Sequence, residues 1–552
     1  MLVMLSLSGC ARRSAAPAVT LVPVRASSRF PEAIAEGALY HACAPDRETL
    51  ESYLRTHNAP FEAALVKAEA GGFCHVFYQP TIPGFEAFPE NAHVSEVFLN
   101  VDALALLTGR RDLIGDSLDL ARKILCEVKR PLRATLGVGT SGHELLYERA
   151  LVSRFGRAAS RIVLHPVNTD VVDPWVQDFM KPGHVGSARV MLVSRRAFEG
   201  HPENGDAFAP MLESFLQPGF VRSKLSFEGG DLAFERDPGS GRLVLFYGNS
   251  AQTYFGESLT REEFEYVLRV EFGAEKALFA GGVTPHIDYE LKQLLNHRVA
   301  LLAEPVCGNL ALARAAVQVL RRILSEPQRA QLANLTDLLF EDDDALARNR
   351  DRIVDAARRA TADRNVWASH AGEASRGQIE DYVKLQCPAN PAQCITGDNL
   401  SLLLEKHEEL LKEWVRVGTE VNLQENLALR LLEVIRRQAS GCDDNVREAL
   451  DRQAALLEEL GYRVVRVPWI QGDGAPNSPW PGVSYANCVD IDDTLFVPEI
   501  GLGKVEAEWL DGLARQLRGQ YRVVPTLATR LLIDNGGVHC AVACVPPENA
   551  GE

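Results

Sequence analysis

Leu531-Leu-Ile-Asp-Asn-Gly-Gly-Val-His-Cys-Ala-Val-Ala-Cys544 sets one cysteine, Cys540, directly after a Gly-Gly turn and a histidine, ahead of an apolar stretch closed by Pro546 and Pro547. A thiol at the end of a turn where glycine lets backbone approach a ligand can serve as a nucleophile. Alone, the same residues read as a buried cysteine in an edge strand, since free cysteine is among the most buried residue types. Three motifs upstream decide between the two.

These motifs are Asp173-Pro-Trp-Val-Gln-Asp-Phe-Met180, Ser226-Phe-Glu-Gly-Gly-Asp-Leu-Ala-Phe234 and Val283-Thr-Pro-His-Ile-Asp-Tyr-Glu290. Each has a plain structural reading: Asp178 as a helix cap or surface carboxylate, Gly229-Gly230 as a hairpin turn, and His286 with Asp288 as a buried pair that strand alternation puts on one face. Together with Cys540 they fit one chemistry. A guanidinium is planar and permanently charged, and carboxylates in its plane hold its nitrogens in fork geometry. Asp178 and Asp288 supply two such forks, and the Cys540 thiolate attacks the central carbon. His286, beside Asp288 in sequence, protonates the departing ammonia and then activates water. Trp175 offers an aromatic wall for the substrate's stem.

These residues resemble the guanidino-group-modifying superfamily, and within it the catalytic domain of protein-arginine deiminases. The matches are Trp175-Val-Gln-Asp178, His286-Ile-Asp288 and Val538-His-Cys540. Ser194-Arg-Arg-Ala-Phe-Glu-Gly-His-Pro202 resembles the arginine-bearing substrate loop, with Arg196 the better-placed candidate and Arg195 beside it. Glu228-Gly-Gly-Asp231 and Ser484-Tyr-Ala-Asn487 resemble agmatine and arginine deiminases instead. The resemblance implies a five-fold pseudosymmetric α/β-propeller (pentein) fold. It assigns catalysis to Cys540, His286, Asp178 and Asp288, and substrate contacts to Trp175, Arg195, Arg196 and Glu228. The implied reaction is hydrolytic deimination of arginine in peptides or proteins to citrulline, through a Cys-bound thiouronium. A small guanidine such as agmatine or free arginine is the alternative substrate. An amidinotransferase and a non-catalytic binding lipoprotein are the other readings. Vertebrate protein-arginine deiminases are calcium-activated, but Phe179 and Lys181 stand where two of their acidic ligands would be. No cofactor is therefore expected, calcium included.

Around these motifs the texture is α/β. Short apolar runs bounded by Gly, Pro or Asn/Asp predict strands at Phe73–Tyr78, Glu96–Leu99, Arg161–His165, Ala188–Val193, Arg242–Tyr247, Val299–Leu302, Tyr462–Val467 and Thr494–Val497. Helical spacing predicts helices at Asp46–His57 and Asp116–Val128. Between about 311 and 440 the chain turns rich in Ala, Leu, Arg and Glu at helical spacing, which predicts a large helical insertion. The expected organisation is a tether over 1–28, an extra N-terminal α/β region of unassigned role over 29–130, and a catalytic domain split into 131–310 and 441–552.

The chain has 552 residues and a net charge of −16. That charge argues against nucleic acid as a partner, because phosphate binding needs clustered Lys and Arg. It suits a cationic, arginine-bearing substrate. Leu5-Ser-Leu-Ser-Gly-Cys10 resembles a bacterial lipobox with Cys10 as the lipidated residue, although the apolar segment is short and has no basic start. The chain then reads either as an exported, membrane-anchored lipoprotein or as a cytoplasmic protein. In the exported case Cys387 and Cys394, of eleven cysteines, are the expected disulfide.

Overall fold

The computed structural model describes residues 19–24, 34–57, 63–69, 71–90, 92–101, 106, 116–139, 144–167, 175–195, 219–249 other than 238, 251, 259–294 other than 285, 298–318 other than 308, 310, 313 and 317, 444–471, 482–528, 531 and 536–547. The expectations for Cys10, Arg196, the 387–394 disulfide and nearly all of the helical insertion fall outside these residues.

One local pattern recurs along the chain. A short turn leads into a buried strand, that strand pairs antiparallel with the next, and a third strand joins parallel. In the first sheet the pair is Met180–Val185 and Ala188–Val193, and Phe220–Arg222 follows in parallel. In the second, Leu232–Arg236 and Leu243–Tyr247 pair, and Lys276–Phe279 follows. In the third, Leu291–Leu294 and Val299–Pro305 pair, and Arg463–Gln471 follows. In the fourth, Val489–Ile491 and Thr494–Glu499 pair, and Arg522–Leu527 follows. The fifth sheet joins strands far apart in sequence. Its antiparallel pair joins Ala543–Val545 to Glu96–Val101, and Arg133–Gly139 follows in parallel.

Parallel pairing requires a crossover, and helices supply it. Arg261–Phe272 crosses in the second sheet, Asp444–Glu459 precedes the parallel strand of the third, Lys504–Gln516 crosses in the fourth and Asp116–Glu127 in the fifth. The first of these shows how sequence sets the boundaries. Thr260 and Glu263 form a reciprocal capping box at its start, and Gly273 takes the left-handed conformation (φ 68°) at its end. Strands with helices against them are buried on both faces, which explains the unbroken apolar run Val299-Ala-Leu-Leu-Ala303.

The apolar cores connect neighbouring sheets in a closed cycle. Phe85, Leu192, Phe234 and Leu245 join the first sheet to the second. Phe246, Leu291, Leu302 and Trp469 join the second to the third. Leu301, Val467, Phe496, Leu99 and Leu136 join the third, fourth and fifth. Phe98, Met180, Met191, Ala543 and Val545 join the fifth back to the first.

A sixth sheet stands apart in pattern. It is wholly antiparallel, built from Thr20–Pro23, Leu39–Ala44, Gly72–Tyr78 and Lys67–Glu69, with the helix Arg47–Thr56 beside it. A disulfide joins Cys43 to Cys74, which face each other across two of its strands. Phe85–Ala87 pairs with Met180–Val185, and Glu96–Val101 sits inside the fifth sheet, so the repeating part begins well before residue 131. Among the described residues, the eight strands expected from alternation and the helices expected at Asp46–His57 and Asp116–Val128 are present, displaced by a few residues at their ends.

Candidate active site

The four motifs converge because each lies on the turn that enters the first strand of a sheet. Asp178 ends such a turn before Met180, Gly230 before Leu232, Asp288 before Leu291, Asn487 before Val489 and Cys540 before Ala543. The turns share a backbone hydrogen bond spanning three residues: Asp178 N to Trp175 O, Asp231 N to Glu228 O, Tyr289 N to His286 O, Asn487 N to Ser484 O and Val542 N to His539 O. The sheet cycle thus brings five short, distant segments to one place.

His286 and Asp288 are not on a strand, as alternation suggested. His286 is extended (φ −113°, ψ 129°) and Asp288 lies in the 3-10 turn Ile287–Tyr289. Their side chains therefore separate. His286 hydrogen-bonds Glu228 through Nε2, and its Nδ1 stands 4.0 Å from Asp178 Oδ1. The histidine at Asp288 is His539, whose Nδ1 lies 2.9 Å from Asp288 Oδ2. That same oxygen accepts the Cys540 thiol at 3.2 Å.

One oxygen each from Asp178 and Asp288 and the sulfur of Cys540 lie within 4.8 Å of one another. Such a set can cradle a guanidinium or ligate a metal ion. Gly230 keeps the space between them open. A Cβ there would come 2.7 Å from Asp178 Oδ1, 2.8 Å from His286 Nδ1 and 3.2 Å from Asp288 Oδ2. The Gly230 N–H also donates to Asp178 Oδ1 at 3.0 Å, fixing that carboxylate. Gly536 has a different task. A Cβ would fall 2.1 Å from the Trp175 ring, so glycine lets the indole pack directly against the turn that delivers Cys540.

The electrostatics keep the thiol protonated. Burial, then the charges of Asp288 and Asp178, push Cys540 well above the ordinary thiol range, opposed by a hydrogen bond from Asn487. Burial and the neighbouring Asp288 charge push Asp178 up. Burial also works against ionised Asp288, but the hydrogen bond and charge of His539 outweigh it and hold Asp288 below its usual value. A cation entering between the carboxylates would reverse the balance at the thiol.

Of the expected substrate contacts, Trp175 stands at the Cys540 turn and Glu228 on His286. Arg195 donates its backbone N–H to Leu225 O, immediately before the part of that loop outside the described residues. Phe179 is buried in the core and the Lys181 ammonium donates to Leu232 O at 2.9 Å.

Three groups at the site had no role assigned from sequence. Asn487 Nδ2 donates to Cys540 Sγ at 3.3 Å while its Oδ1 accepts the His539 N–H at 2.8 Å, tying thiol and turn together. Its segment was legible as a motif, but nothing local linked it to Cys540. His539 adjoins Cys540 in sequence, which was the available signal. Glu90, 3.6 Å from His539 Nε2, carried none.

No family model matches the chain, and no curated protein matches it in sequence. Among solved structures it is similar to the agmatine deiminase of C. jejuni, at 12% identity and a TM-score of 0.43 over 84% of this chain and 97% of that one. It is similar to a provisionally assigned arginine deiminase of Porphyromonas gingivalis, at 14% identity and a TM-score of 0.43 over 84% and 99%. It is similar to the agmatine deiminase of Enterococcus faecalis, at 11% identity and a TM-score of 0.41 over 84% and 96%.

Proposed function

We propose that the chain hydrolyses a guanidinium, deiminating arginine side chains of peptides or proteins to citrulline and ammonia. The observation that carries this reading is the Asp178–Asp288–Cys540 cluster around the hollow at Gly230. Two carboxylates take the guanidinium nitrogens, and the bound cation lowers the thiol pKa. The Cys540 proton passes to His286, and the thiolate adds to the guanidinium carbon. His286 gives a proton to one nitrogen, the carbon–nitrogen bond breaks and ammonia leaves. A water, deprotonated by His286, adds to the Cys540 thiouronium. The carbon–sulfur bond breaks, releasing citrulline and the thiol. Burial of the site strengthens each of these charge interactions.

A second reading, a small guanidine such as agmatine or free arginine as substrate, is favoured by two contacts. Asn487 holds the thiol and Glu228 holds His286. Both belong to the segments that resemble agmatine and arginine deiminases. For either substrate we propose a calcium-independent enzyme, since the Phe179–Lys181 position offers an apolar ring and a cation where calcium takes oxygen ligands. The fold we propose is five such units about a pseudo-five-fold axis, supported by the closed cycle of cores. We further propose export, with lipid on Cys10 as the anchor. The Cys43–Cys74 disulfide supports an oxidising compartment.

The test is citrulline and ammonia release, with chelator present, from benzoyl-arginine amide, an arginine peptide, agmatine and free arginine, with Cys540→Ala as the blank. Turnover of the blocked arginine and peptide is expected. Turnover confined to the small guanidines establishes the second reading. No turnover with or without calcium overturns both and favours the binding-module or amidinotransferase reading.

A further inference from the structure

Behind Asp288 the polar chemistry continues away from the reacting atoms. His539 is 6% exposed and lies between two carboxylates, Asp288 at Nδ1 and Glu90 at Nε2. Glu90 in turn hydrogen-bonds the ammonium of Lys292, which stands 3.1 Å from Asp490. Acidic and basic side chains therefore alternate along a buried line: Asp288, His539, Glu90, Lys292, Asp490. The line has a structural origin. Lys181, Lys292, Asp490 and Cys544 all occupy the second position of the first strand in their sheets, and all four line one small cavity of about 30 Å³. Glu90 and His539 line it too.

We infer that His539 is a positioning residue for Asp288: a buried imidazolium, bracketed by Glu90, that keeps Asp288 ionised and holds its Oδ2. This rests on the deiminase reading. Asp288 Oδ1, buried and without a hydrogen-bond partner among the described residues, is then left for the guanidinium. Two charges oppose this state. Asp178 repels a second carboxylate, and Lys292 repels the imidazolium. The pairs with Glu90 and Asp288 outweigh burial and Lys292, holding His539 above its ordinary value. Without the imidazolium, burial and Asp178 would drive Asp288 towards its neutral form, which cannot pair with a guanidinium.

Two readouts test this. The first is a histidine ¹³C NMR titration, with His539 identified by its absence from His539→Gln. The midpoint should lie above the ordinary histidine value of about 6.5 and fall in Glu90→Gln. The second is the pH profile of kcat/KM. In His539→Gln its acidic limb should move up by about one unit, with KM rising ~10-fold and kcat falling less. Glu90→Gln should move the limb the same way by a smaller step, and serves if His539→Gln does not fold. A midpoint below about 6.5 in the wild type overturns the inference whether or not any guanidine is turned over. An active wild type whose limb stays fixed in both variants overturns it while leaving the deiminase reading intact. A wild type that turns over no guanidine sinks the deiminase reading instead, and the titration still decides the charge on His539.

Discussion

At the scale of residues, the site is a negotiation between burial and charge. Asp178 and Asp288 are ionisable groups crowded against a buried thiol, and their repulsion is tolerated because His539 compensates one of them. Removing either charge should uncouple the site from a cationic substrate. Asp178→Asn and Asp288→Asn are each expected to lose at least ~100-fold in kcat/KM, and near-wild-type rates in either would sink the two-carboxylate assignment. Asn487 acts on the Cys540 thiol itself, since its hydrogen bond lowers the thiol pKa. In Asn487→Ala the pH midpoint of Cys540 alkylation should rise by about one unit, with kcat/KM falling ~10–100-fold. An unchanged alkylation profile would show that the contact does not hold the thiolate.

At the scale of elements, the functional side chains depend on turns, and the turns depend on buried carboxylates that hold them. Glu290 Oε1 accepts the backbone N–H groups of Val283 and Thr284, the loop that carries His286, and Gln453 donates to its other oxygen at 3.0 Å. Burial pushes this carboxyl from 4.5 up to about 7. The sign follows from the neutral form being favoured in the folded state. Glu290 contributes fully below pH 4.5, and its contribution is lost as pH rises through about 7. A gap of that size is worth ~3 kcal/mol. Glu290→Gln cannot ionise, so its Tm relative to wild type should improve between pH 5 and pH 8. A Tm difference that does not change with pH would refute the assignment. The helices and strands themselves were legible because each carries its own period and caps, as Thr260, Glu263 and Gly273 do for Arg261–Phe272. The His286–Asp288 geometry was not, because a 3-10 turn and a strand share the same residues locally and differ only in what they pack against.

At the scale of the whole molecule, the cycle of sheets is closed by strands far apart in sequence. Ala543–Val545 completes a sheet begun more than four hundred residues earlier at Glu96–Val101, and Ala543 and Val545 fill the core against Phe98 and Met191. The strand also anchors the turn that holds Cys540. Truncation after Ala541 should therefore do more than trim a terminus. Uncovering several buried apolar side chains at ~1.5–3 kcal/mol each approaches the stability of a typical domain. Loss of a cooperative melting transition is expected, read by calorimetry. A truncated protein that melts near the wild-type Tm would show that the closure is dispensable.

The sequence by itself determined the element types, the α/β class and the motifs bearing Asp178, His286, Asp288 and Cys540, because propensity, periodicity and residue chemistry are local. Tertiary structure alone decided which histidine meets Asp288, that Asn487 holds the thiol, that Glu90 stands behind His539, and that the repeating part reaches back to Phe85. Those facts depend on how five sheets close on one another. Closure is set by packing between segments hundreds of residues apart, which no local pattern encodes.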